Sequence, residues 1–149
     1  MTGEAMWLAY CRATGTDTEA RHDIWKFCGG GAAADELAGL VLAGTKTATS
    51  AAMLSYKAAE EALPEAGTHS VILFDNGEAA CVLRDTKVSV VPFHRVGAEH
   101  AWKEGEGDRS LETWREIHRR AFTPDLRAAG LELEDDTPCV LEEFEVVYR

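Results

Sequence analysis

Lys46 and Thr49 stand three residues apart in the stretch Leu42-Ala43-Gly44-Thr45-Lys46-Thr47-Ala48-Thr49-Ser50. An amine and a hydroxyl held together at the mouth of a cleft could work as they do in serine–lysine hydrolases. A threonine hydroxyl is a poor nucleophile unaided. A lysine can take its proton only while neutral, which requires burial or a neighbouring cation. Hydrolysis of an amide would also need an acid for the leaving amine. The same stretch reads equally as capping chemistry. Gly44 sits where a left-handed helix cap is expected, and Thr49 or Ser50 could cap a following helix through its hydroxyl. The first turn of that helix would then offer backbone N–H groups to an oxyanion.

The elements that must position these residues can be read from periodicity. Leu37, Leu40 and Val41 define one face of a helix over Ala32–Ala43, with Asp35 and Glu36 in its first turn, favourable against the helix dipole. A second helix is expected over Ala51–Ala62, where Tyr56 could line a pocket, and Pro64 and Gly67 end it. Before the motif, a short helix spans Glu4–Arg12. An extended piece runs through Trp25 and Phe27, followed by a loop at Gly29-Gly30-Gly31. After it the period changes. Ser70–Phe74, Glu78–Leu83 and Lys87–Phe93 read as three adjacent antiparallel strands, the first two joined at Asn76-Gly77. A short helix covers Ala98–Lys103. Asp108 or Ser110 caps another that runs to Phe122 and is punctuated by Pro124. Cys139–Tyr148 closes the chain as a strand.

With 149 residues and 46% apolar content the chain can bury a core as a single domain. No apolar run reaches membrane-spanning length, and Met1-Thr2-Gly3-Glu4 lacks the start of a secretory signal. Cys11, Cys28, Cys81 and Cys139 form no C-x-x-C pair, so reduced thiols in a cytoplasmic protein are expected, with no zinc or redox site. His94 and His100 are isolated, His118 suits a core or capping role, and neither a metal nor a cofactor is indicated. The net charge of −11 opposes extended nucleic-acid binding but admits a nucleoside, or a short single strand in a locally basic cleft. Arg84, Lys87, Arg109 and Arg115 are candidate phosphate or carbonyl contacts.

Three stretches together resemble the ASCH domain family. Gly44-Thr45-Lys46-Thr47-Ala48-Thr49 is similar to its G-x-K-x-x-T signature. Glu104-Gly105-Glu106-Gly107-Asp108, followed by Trp114-Arg115 and His118, resembles a second block of bacterial stand-alone members, and Glu143–Tyr148 resembles their last strand. The likeness spans roughly residues 25–149, leaving residues 1–24 as an N-terminal helical extension. It implies an α+β fold, a PUA-like β-barrel with helices packed around it and a cleft for a base or nucleoside. Some small bacterial members are amidohydrolases acting on N4-acetylcytidine through a lysine, a threonine and a glutamate. Here those would be Lys46, Thr49 and Glu104, with Glu106 the second choice for the acid. Gly44, Thr47, Tyr56, Glu106, Arg109 and Arg115 make up the expected substrate-binding set. The resemblance equally admits an RNA- or nucleotide-binding module, or a ribonuclease, in the same cleft. One departure is the loop Cys28-Gly29-Gly30, where relatives commonly carry Gly-Asp-Ser.

Overall fold

A computed structural model describes residues 1–149. Five helices, α1 (Gly3–Thr14), α2 (Ala32–Leu42), α3 (Met53–Ala58), α4 (Ala98–Glu104) and α5 (Leu111–Ala128), surround one curled sheet. Its strands are β1 (His22–Trp25), β2 (Ala48–Ala52), β3 (His69–Leu73), β4 (Ala79–Pro92) and β5 (Pro138–Tyr148). They lie in the order β1-β3-β4-β5-β2. Only β1 pairs in parallel, against β3. The other three pairings are antiparallel. The result is an α+β half-barrel of the PUA-like kind.

The apolar run in β3 is continuous because both faces of that strand are covered. Val71 and Ile72 point to opposite sides, and each is fully buried. Val71 and Val82 pack under Trp7 and Tyr10 of α1. Ile72, Cys81 and Leu83 pack with Leu37 and Val41 of α2 and with Phe144. A separate cluster holds Trp114, Phe122 and Leu126 of α5 against Phe93 and Val96. Truncating Ile72 to alanine would cost about 2–5 kcal/mol, from lost burial and the cavity left behind.

The structure departs from the sequence reading in three places. Residues 48–52 form β2, not the start of a helix, and α3 covers only Met53–Ala58. Thr49 and Ser50 are therefore strand residues paired to β5, not caps, and no helix N-terminus stands there for an oxyanion. The β-branched and small residues Ala48-Thr49-Ser50-Ala51-Ala52 fit a pleated edge, and the ladder to β5 pairs one side of their backbone. The second and third expected strands are one 14-residue strand, β4, bent by a register shift between Asp85 and Lys87. Finally, Pro124 lies inside α5, which continues to Ala128. Ser110 caps that helix as expected, accepting from Thr113 N–H at 3.1 Å.

Candidate functional site

Lys46 lies on the loop between α2 and β2. Gly44 ends α2 with φ of +79°, and the N–H groups of Thr45 and Lys46 both bond to the Leu40 carbonyl. The far side of the loop is stitched to the end of α4. Thr47 N–H donates to the Lys103 carbonyl at 2.7 Å, and Arg109 Nη2 donates to the Thr45 carbonyl at 3.3 Å. Gly105 turns the chain there with φ of +72°. A Cβ at this position would lie 2.6 Å from the Thr45 carbonyl oxygen. Glycine is needed for both reasons, and it lets backbone touch backbone between the two arms of the site.

This stitching delivers Lys46 to Glu104, the last residue of α4. Their side chains are 1% exposed. Glu104 Oε1 faces Lys46 Nζ at 3.4 Å and His118 Nε2 at 3.4 Å. Its Oε2 accepts from the Ser50 hydroxyl, the Trp114 indole N–H and His100 Nε2. Burial alone would raise the pKa of this carboxyl. Hydrogen bonds from His100 and His118, with the charges of His118 and Lys46, reverse that and hold it well below the usual range. His118 responds in the opposite sense. Burial opposes its charging, but Glu104 outweighs burial and raises its pKa. Trp114 stacks on His118 with ring centroids 4.1 Å apart, and the Trp114 carbonyl accepts from His118 Nδ1 at 2.7 Å.

Glu106 is placed differently. Its Oε2 lies 3.3 Å from Lys46 Nζ, but its side chain is 18% exposed, on the cleft side. Burial raises its pKa, and Lys46 only partly offsets that. Glu104 is thus a saturated anion, and Glu106 is a carboxyl that can change protonation. Glu104, Glu106 and His118 bring ligand atoms within 4.8 Å of one another, a spacing that could hold a metal ion. Lys46 Nζ already supplies the positive charge between the two carboxylates.

These groups open into a cleft of about 1060 Å³ that follows β2, with Thr49, Ser50, Ala51 and Ala52 all lining it. Pleating sends Ser50 towards Glu104 and Thr49 to the opposite face, across from Glu142 in the β2–β5 register. Tyr56, Phe27 and Trp25 supply aromatic wall. Acidic lining residues outnumber basic ones, and Lys46, Arg21, Lys26 and Arg120 are the cations.

Of the residues expected from sequence, Lys46, Thr49, Tyr56, Glu104 and Glu106 meet in this cleft. Six others do not line it. Gly44 and Thr47 shape the Lys46 loop. Arg109 stacks on Trp102, its guanidinium 3.7 Å from the ring centroid. Arg115 donates to the carbonyls of His94 and Val96. Arg84 and Lys87 form exposed ion pairs with Glu145 and Glu143. Ser50, His100, Trp114 and His118 had no role assigned around Glu104. The one signal was spacing, which sets His100 and Glu104 one helical turn apart on α4.

Residues 23–148 match the family model of the ASCH domain, and the chain belongs to that family. It is similar to the crystal structure of an ASCH domain from Lactobacillus crispatus JV V101 (30% identity, TM-score 0.91, covering 99% of this chain and 94% of that one). It is also similar to a protein from Enterococcus faecalis V583 (33% identity, TM-score 0.87, covering 97% and 87%). No curated protein matches the sequence. No helix is long and apolar enough to cross a membrane.

Proposed function

We propose that this protein is an amidohydrolase acting on a small acylated pyrimidine nucleoside or base, such as N4-acetylcytidine. The observation that carries this reading is the buried Lys46 held between Glu104 and Glu106 in a cleft that also contains Thr49. Each residue then has a distinct task. Glu104, bonded on both oxygens, orients Lys46 and stays ionised. Glu106 accepts a proton from Lys46, leaving a neutral amine that removes the proton of the Thr49 hydroxyl through one bridging water, because pleating turns Thr49 away from the face of Ser50 and Glu104. The Thr49 oxygen adds to the acyl carbonyl, the C–N bond breaks, and the leaving nitrogen takes the proton back through Lys46. Water then hydrolyses the acyl-threonine to the free acid and restores the hydroxyl.

The alternative readings, an RNA- or nucleotide-binding module or a ribonuclease, draw less support from the cleft. Tight binding of a strand needs several phosphate contacts. Arg109 and Arg115, the cations expected to supply them, are engaged elsewhere. All four cysteines are free, in keeping with a cytoplasmic site of action. Purified protein incubated with N4-acetylcytidine should release cytidine and acetate, and Lys46→Ala should abolish release. Cleavage of single-stranded RNA without any nucleoside turnover would overturn the proposal in favour of the ribonuclease.

A further inference from the structure

Glu142 in the cleft and Asp85 behind it form a second group of titratable side chains with no part in the chemistry above. Glu142 on β5 lines the cleft, directly across from Thr49. Asp85 on β4 pairs with Phe144, two residues further along β5, so pleating puts Asp85, Glu142 and Thr49 on one face of the sheet. Asp85 is 7% exposed; its buried Oδ2 receives no donor from other residues, and its carboxyl lies within hydrogen-bonding reach of Glu142. Burial and proximity to each other make full ionisation of both acids costly.

We propose that Glu142, backed by Asp85, is a specificity-determining site that binds the neutral edge of the substrate where a donor and an acceptor lie side by side, as on a pyrimidine base. This rests on the nucleoside reading above. A protonated carboxyl offers one O–H donor and one carbonyl acceptor, the complement of such an edge. A doubly ionised pair would offer only acceptors and leave one ring atom facing a carboxylate. The surrounding groups favour the single proton. Glu142 is pushed up to about 8, by burial and then by Asp85 and Asp23, with Tyr56 opposing. Asp85 is pushed up to about 6 by burial and Asp23, against the pull of Glu142 and Arg21. Tyr56 is raised by burial and by Glu142, Asp85, Asp23 and Glu61, so it stays a phenol and an additional donor. The same acids repel phosphate, so a free nucleoside is preferred to its 5′-monophosphate.

Calorimetric titration of the intact protein with cytidine, from pH 6 to 9, tests this. Affinity should fall as pH rises through about 8, and cytidine should bind more tightly than cytidine 5′-monophosphate at pH 7. Glu142→Ala should weaken binding about tenfold, the worth of a buried hydrogen bond left unmade. Glu142→Gln keeps a donor beside an acceptor, so it should hold most of the affinity and lose the pH dependence. Asp85→Asn should move the midpoint to lower pH, which a merely structural role would not do. Affinity that is flat or rises over this range, no measurable binding of cytidine, or wild-type binding by Glu142→Ala would each overturn the inference. Hydrolysis of N4-acetylcytidine is scored separately. Its absence alongside the expected titration removes the amidohydrolase reading and leaves this site standing.

Discussion

Lys46 and Glu104 come from distant parts of the chain and meet at 3.4 Å with both side chains withdrawn from solvent. A buried ion pair is stable only when its remaining hydrogen-bonding capacity is filled, because desolvation otherwise exceeds the attraction. Ser50, His100, Trp114 and His118 fill it on the glutamate side. Lys46→Arg keeps the charge and can still pair with the two carboxylates, but it cannot give up its proton. We expect a folded variant with hydrolysis of N4-acetylcytidine reduced by at least about a hundredfold, in the range of lost acid–base catalysis. Retention of most of the wild-type rate would exclude Lys46 as a proton carrier.

The two glutamates should separate in their consequences. Glu104→Gln leaves His118 without its anion and Lys46 with only the partly exposed Glu106, and should lower stability by about 3–5 kcal/mol, the usual cost of breaking a buried pair. Glu106→Gln touches a partly exposed group and should leave the melting temperature within a few degrees. Its effect should instead be on kcat, with the rise in rate that accompanies ionisation of Glu106 removed. Denaturant melts and pH–rate profiles of the two variants distinguish these roles, and equal effects on stability would contradict them.

Glu142 predicts a pH dependence of stability with a definite sign. Its folded pKa, about 8, lies above the ordinary glutamate value, so the folded protein holds a proton that the unfolded chain releases between about 4.5 and 8. Stability contributed by this group is therefore present below that window and declines as pH rises through it. Asp85 acts with the same sign between its ordinary value and about 6. Glu142→Gln should melt alongside wild type at pH 4.5 and above it at pH 8. The gain should be roughly 1–3 kcal/mol, or several degrees in a chain of this size. A variant less stable than wild type at pH 8 would refute the assignment.

Gly105→Ala combines a left-handed backbone with a Cβ driven into the Thr45 carbonyl. The conformational term alone costs about 1–2 kcal/mol. The displacement falls on the loop that carries Lys46, so activity should drop by more than the stability loss accounts for. Gly44→Ala is the control, since it shares the positive φ but meets nothing within 4 Å. Comparable kcat in both variants would show that the close approach at Gly105 does not matter.

Much of the scaffold could be read from local chemistry. α2, the Gly44 turn and the Ser110 cap depend on residues within a few positions of one another, and periodicity reports such features well. The stretch after Lys46 departs from the expected helix because Ala48–Ala52 has little side-chain pattern of its own. Its strand conformation comes from β5, at the other end of the chain. The path of α5 through Pro124 shows the same limit, since Phe122 and Leu126 on either side are both anchored in the core. The motif residues Lys46 and Glu104 were legible by type and resemblance. The other groups that hold Glu104 were not, because Ser50, Trp114 and His118 reach it only through tertiary contact.

The sheet order carries a kinetic consequence. β3 and β4 are neighbours in sequence and can pair early, whereas β2 finds its only partner in β5, after nearly everything between them has been arranged. Contacts that close so long a loop pay their entropy late. Lys46 and Ser50 should thus enter their surroundings after the folding barrier. Mutations at Lys46, Ser50 or Glu104 would then accelerate unfolding and leave the refolding rate almost unchanged, whereas mutations at Val71 and Val82 would slow refolding. Stopped-flow chevrons would read this directly. The proton-handling groups would then be the last part of the protein to assemble and the first to come apart.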